Sequence, residues 1–257
     1  MNRKEIQFDT ILEKRVRWRF LTKWRIIRAF KINISIAEKS LDIDKKVLEG
    51  AKKEMDNQKE ALKSVVDSQS RNKHDFINKK EFELEKIMNF IGFVDINSID
   101  ISMLSLQIVK DRNKWSRNLY ARLAFVLMYE LTEDICQLLG NDKSADSSRY
   151  YGIRPIVQEL NDPELTKELN DTAERWNEFK KAIRAHNCNY HQIRNVSTVH
   201  RDHDYLSLHS NITNISWSDA FMGLHRFNDN QLALRSFMQS LVNKYFVDYK
   251  KGLDLFM

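Results

Sequence analysis

A chain of 257 residues with only six glycines and two prolines has little means of turning often. Folds built from many short strands need frequent turns, and those turns draw heavily on Gly and Pro. Leucine and lysine, both good helix formers, are abundant instead. The expectation is an all-α protein of long helices, large enough to bury a core as one domain or two. Two cysteines, Cys136 and Cys188, form no CxxC pair and no disulfide framework, so reduced thiols and a cytoplasmic setting are expected. The longest uninterrupted apolar run, Leu123 to Tyr129, is too short to span a bilayer, and "MNRKEIQFDT" lacks the apolar stretch of a signal peptide. No membrane partner is expected.

Net charge is +6, and it is concentrated at one end. Residues 1–31 hold ten Lys/Arg against three Asp/Glu, a net of +7, so the rest of the chain sums to −1. Within "LEKRVRWRFLTKWRIIRAFK" (Leu12 to Lys31), Leu12, Val16, Phe20 and Ile27 share a helical stripe, with Trp24 between and Arg15, Arg19, Arg25 and Arg28 off it. Such a basic amphipathic helix suits a phosphate backbone, an anionic surface or an acidic groove, or it packs with one solvated face. Arg beside Trp favours RNA among the ligands, since both phosphate and bases are then met.

From Ile36 to Phe90 the pattern changes. Leu41, Leu48, Met55 and Leu62 recur every seven residues, while Asp44 and Gln58 interrupt the neighbouring stripe of Ala51 and Val65. This is a poor coiled-coil seam and predicts a long helix, or a hairpin turning in the polar run Asp67 to Asp75. A break is expected at "GFVDINSID" (Gly92 to Asp100), dividing an extension over 1–99 from a helical domain over 100–257. In that second part a helix is expected from Leu104 to Leu139, with Leu119, Leu123, Val126, Glu130 and Asp134 on adjacent turns and Gly140 as its stop. A loop follows, and Asp162 and Pro163 then open another helix through Trp176, Phe179, Ile183 and Ile193. The last helix is amphipathic from Leu232 to Phe246, after a polar loop, "HSNITNISWSDAFMG".

Six of the seven histidines lie between His186 and His225, around "YHQIRNVSTVHRDHDYL". No Walker A loop, GxGxxG, GxSxG or HExxH occurs. His186, Cys188 and His191, or His200, Asp202 and His203, could ligate a metal, but the paired spacings of structural zinc sites are lacking. No metal and no cofactor are expected. In Arg194, Asn195 and His200 the three parts of metal-free RNA cleavage are present. Histidine titrates near neutrality and can move the 2′-OH proton. The arginine fork matches phosphate oxygens, and asparagine can orient them. On an ideal helix Arg194 and His200 stand about 120° apart, so they converge only if the helix kinks or ends after Asn195, or between two chains. The β-branched "VSTV" between them makes a mediocre helix continuation. Tyr190 shares a face with His186 and Arg194, either lining the same cleft or packed at a seam, and Glu130 or Glu133 could fix the Arg194 rotamer.

Arg194, Asn195 and His200, at the end of one helix and preceded by the helix "WSRNLYARLAFVLMYELTEDICQLL", resemble the R-x(4–6)-H motif of the HEPN superfamily. These are helical domains of bacterial toxins, abortive-infection proteins and RNA-cleaving defence systems. The resemblance covers residues 100–257. It implies an HEPN-like helical bundle, a homodimer, and metal-independent endoribonuclease activity in phage defence or a toxin system, with an antitoxin or regulatory protein as a possible partner. His200 would be the general acid/base, Arg194 the transition-state cation and Asn195 the phosphate-orienting donor. Two other readings stay open: a non-catalytic RNA-binding module, and a helical protein-interaction module whose motif merely ends a helix.

Overall fold

The scarcity of chain breakers is realised as a few very long helices. A computed structural model of the chain describes residues 20–62, 68–140, 152–184 and 215–255. Among them 94% are helical and no strand occurs, which makes the protein all-α. The helices are α1 (Phe20–Leu62), α2 (Ser68–Lys110), α3 (Lys114–Leu139), α4 (Arg154–Leu160), α5 (Pro163–Arg184) and α6 (Trp217–Asp254). Two of them run for 43 residues and α6 for 38.

Several expected boundaries move, each for a local reason. The polar run Asp67 to Asp75 is helical from Ser68 onward. The break at Gly92 to Asp100 does not exist, and the expected division between residues 99 and 100 falls inside α2. Of the polar residues that suggested it, Asn97 and Ser98 are buried within α2 and Asp100 is exposed on it. Asp95 ion-pairs with Arg235, and the Ser98 hydroxyl donates to Gln231 Oε1 at 2.6 Å. The chain instead breaks at Asp111–Asn113. Asn113 Oδ1 accepts from the backbone N–H of Trp115 at 2.9 Å. It also accepts from the Ser116 N–H at 3.3 Å. This is the cap geometry that opens α3. Asp111 Oδ1 in turn accepts from the Asn113 N–H at 2.8 Å.

Gly140 follows the last residue of α3, as expected. The short helix α4, with Pro155 in its first turn, ends on Asn161, whose φ is 49°. That left-handed conformation is a common helix stop, and Asn tolerates it. Asp162 caps α5 by accepting from the Leu165 N–H at 2.9 Å, and Lys244 reaches its other oxygen at 2.6 Å. Ser216 caps α6 through the Asp219 N–H at 3.2 Å, so the segment expected as a polar loop is helical from Trp217.

The chain forms two compact units, each drawn from three stretches of sequence. The first comprises Met1–Ala37, Asn97–Cys136 and Glu174–Leu232. Its described core is apolar. Trp176 and Phe179 of α5 meet Phe227 of α6 nearly edge to face, with ring centroids 5.0 to 6.1 Å apart. Aromatic quadrupoles favour that geometry. From α3 the core takes Ala121, Ala124, Phe125 and Met128, all within 1% of complete burial. On the adjacent turns of the same helix, Leu119, Leu123 and Glu130 are exposed.

The second unit comprises Glu38–Ile96, Gln137–Ala173 and Ala233–Met257. Here α1 and α2 pair as an antiparallel hairpin, because Lys52 bonds Glu85 and Lys59 bonds Glu81, the register advancing on one helix as it recedes on the other. The heptad stripe faces inward, with Met55 fully buried and Leu41, Leu48 and Leu62 either half-buried or at its edge. The interruptions of the second stripe carry specific bonds: Asp44 accepts from the Ser40 hydroxyl at 3.3 Å, and Gln58 accepts from the Tyr249 hydroxyl at 2.8 Å. By length and composition Arg71–Lys110 is apolar enough to cross a membrane, contrary to the expectation drawn from uninterrupted apolar runs. Half of its most apolar window is buried inside the protein, as in the core helix of a folded domain.

Candidate functional site

Tyr190, Arg194, Asn195 and His200 lie outside the described residues, as do Arg15 and Arg19. The same holds for the His/Cys sets weighed as metal ligands. Among the described residues no group of three or more His, Cys, Asp or Glu side chains could hold a metal ion. What the structure does describe are the helices on either side of the motif, its proposed acidic supporters, and the inner half of the basic segment.

Helix α5 ends at Arg184, ten residues before Arg194 in sequence, and its last turn is tied to α3. Lys180 and Arg184 are four apart and therefore share a face. Both ion-pair with Glu133, the lysine at 2.7 Å. The Arg184 guanidinium also lies 5.6 Å from the centre of the Tyr129 ring. That is within cation–π range. One of the two carboxylates considered for Arg194 is thus already engaged by two cations of α5. Sequence reasoning missed that i,i+4 cation pair, although its spacing is plain in the chain. Glu130 stands exposed on the same helix, and its charge reaches Asp134. Burial pushes the Asp134 carboxyl above its ordinary range, and the negative charges of Glu130 and Glu133 add to the effect.

Cys136 follows on the same helix. Burial pushes its thiol up to about 11, outweighing the opposing pull of Lys180. A thiol raised this far is a weak nucleophile at neutral pH, and the charged groups around it act by electrostatic positioning.

The basic segment presents a different surface. Trp24 is 49% exposed and Arg25 and Arg28 are exposed, with the Arg28 guanidinium 5.3 Å from the centre of the Trp24 ring. Lys31 is exposed one turn further on. Phe30 meets Phe221 of α6 edge to face at 6.0 Å and anchors this end of α1 in the first unit. Arg25 and Arg28 face outward, as their off-stripe positions led one to expect, but Trp24, expected among the apolar stripe, is exposed beside them, and Leu12 and Val16 lie outside the described residues. A guanidinium stacked on an indole is already oriented for a phosphate while leaving a ring face for a base.

These features define an all-α protein with a basic, aromatic helical face and a charge-clamped helix pair. Comparison with protein-family models, with curated proteins and with solved structures finds no match.

Proposed function

We propose that the protein binds RNA through the outward face of α1 and cleaves it at Arg194, Asn195 and His200. The observation that carries this reading is the exposed Trp24–Arg28 pair, flanked by Arg25 and Lys31, in a segment that holds the whole positive excess of the chain. Solvated cations alone would need no indole among them; phosphate and base together use both.

In this reading His200 takes the 2′-OH proton and returns one to the leaving 5′-oxygen. Arg194 neutralises the charge developing on the phosphorane, and Asn195 orients its oxygens. The products are a 2′,3′-cyclic phosphate and a 5′-OH. The clamp of Glu133 on Lys180 and Arg184 supports the scheme by holding the end of α5, the helix that precedes the motif. A homodimer, a regulatory partner and a cytoplasmic defence or toxin role belong to the same proposal.

The test is a cleavage assay on total RNA in EDTA, comparing wild type with His200→Ala and Arg194→Ala at matched oligomeric state. Cyclic-phosphate ends in the wild type that vanish in both variants support the proposal. Salt-dependent RNA binding without products, weakened when Arg25 and Arg28 are replaced by Ala, supports a binding module instead.

One observation favours a protein-interaction role. Leu119 and Leu123, 43% and 41% exposed on one face of α3, with Trp115 exposed a turn before them, form an apolar row on the surface. Absence of any RNA affinity would leave that row as the functional surface.

A further inference from the structure

The Trp24–Arg28 pair of α1 has a counterpart in the same unit. Between α3 and α6 the Arg117 guanidinium lies 4.8 Å from the centre of the Trp217 ring. The same guanidinium donates through Nη2 to the Asp111 backbone carbonyl, just past the end of α2, and so is held in place. Trp217 opens α6 and is half-buried, so part of its ring reaches the surface. Lys114 is exposed, three residues before Arg117 and on the same side of α3. Asp219, the acid in the first turn of α6, stands about 160° round that helix from Trp217.

The two pairs flank one contact. Phe30 of α1 meets Phe221 of α6 with ring centroids 6.0 Å apart. Trp24 lies six residues from Phe30, about 9 Å along α1. Trp217 lies four residues from Phe221, about 6 Å along α6. Any apolar ring would serve to pack two helices together. An indole beside a guanidinium adds a broad face for a base and a planar fork for a phosphate.

We propose that Trp217 and Arg117, with Lys114 beside them, form a second RNA-binding station. One strand then runs from Trp24 and Arg28 across the Phe30–Phe221 contact to Trp217 and Arg117. This rests on the RNA reading of α1 and extends that surface onto α3 and α6. At each station a phosphate takes the guanidinium and a base stacks on the indole. Bases inside a duplex are stacked on one another and cannot do this, so the ligand is unpaired at both points.

The experiment is fluorescence anisotropy of the full chain with a labelled 2′-O-methyl oligouridylate of about 12 nucleotides, alone and in duplex. The methyl group blocks cutting by 2′-OH attack, so binding is read without cleavage. The single strand should bind more tightly than the duplex. Trp24→Ala and Trp217→Leu should each weaken it about ten-fold. Trp217→Phe, which keeps a ring to stack on, should lose less. Lys114→Glu reverses an exposed charge and leaves packing alone; it should weaken binding several-fold and flatten its salt dependence. Melting curves of the same samples show that the variants are folded. If Lys114→Glu and Trp217→Leu bind as wild type while Arg25→Ala with Arg28→Ala is weakened, the RNA surface ends on α1 and the second station is refuted. Equal affinity for strand and duplex refutes the stacking of bases. If neither probe binds wild type even at low salt, the RNA reading of α1 fails, and the station falls with it.

Discussion

In the first unit three rings of α5 and α6 fill the interior, and Trp176 is completely buried among them. In the second, a lysine occupies the corresponding kind of place. Lys80, with 3% of its side chain exposed, reaches Glu83 at 2.9 Å, Asp248 at 3.0 Å and Glu159 at 3.5 Å, with the Tyr245 ring 5.5 Å away. Burial alone would favour the neutral amine, but hydrogen bonds to Glu83 and Asp248 reverse this and hold Lys80 above its ordinary value. The contrast separates two ways of joining long helices. Rings supply free energy through the area they remove from water and tolerate shifts of register. A buried cation with three carboxylates from α2, α4 and α6 supplies little net free energy, yet it strongly penalises any pairing that leaves one member alone. Long helices with few breakers can slide, and the second unit has the device that resists sliding.

The largest expected effect tests the aromatic side. Trp176→Ala should destabilise the protein by about 3–5 kcal/mol in denaturant unfolding. Trp176→Phe should cost much less, since among the described residues the indole N–H has no acceptor to lose. Next comes the charged side: Lys80→Met should cost about 3 kcal/mol at neutral pH by stranding the buried Glu83. Adding Glu83→Gln should recover much of that loss, whereas no second substitution of this kind would refill the vacated aromatic site. Burial already pushes Glu83 above the ordinary carboxyl range, against the pull of Lys80. The Lys80→Met penalty should therefore shrink as pH falls and Glu83 protonates, and a penalty that is flat with pH would remove the charge argument. Smaller again, Tyr245→Phe should cost about 1 kcal/mol, because its hydroxyl donates to the Lys80 backbone carbonyl within the same cluster.

How far the sequence was legible follows the same division. Helix type, the hairpin, the Asp162 cap, the Gly140 stop and a helix through Trp176, Phe179 and Ile183 rest on local spacing, and all appear in the structure. The false break at Gly92 to Asp100 arose because Asn97, Ser98 and Asp100 look like helix-capping residues. The partner of Ser98, Gln231, is 133 residues away in the chain, as Arg235 is 140 from neighbouring Asp95, and no local pattern announces either. The real break at Asp111–Asn113 is written in Asx chemistry, but a strong apolar period on both sides of it hid it. Of the candidate site, the outward Arg25 and Arg28 were legible as off-stripe positions. The occupation of Glu133 was not, because choosing between neighbouring carboxylates needs the position of α5.

The row on α3 gives the smallest expected effect and bears on how such stripes are read. Leu119 and Leu123 belong to a genuine i,i+4 apolar series, yet the buried face is that of Ala121, Ala124, Phe125 and Met128. Both faces are apolar, so periodicity alone could not choose the inner one; small alanines allow close helix approach, and leucines are displaced outward. On this account Leu119→Ser with Leu123→Ser should change unfolding free energy by less than about 0.5 kcal/mol per site, as for ordinary surface positions. Trp176→Ala, in the core of the same unit, should exceed that several-fold. A loss at the leucines comparable to a core truncation would mean that this face is covered in solution. Sedimentation of the same double variant then distinguishes the cover: a shift to smaller species identifies a second copy of the chain, and an unchanged species places the cover within the chain itself.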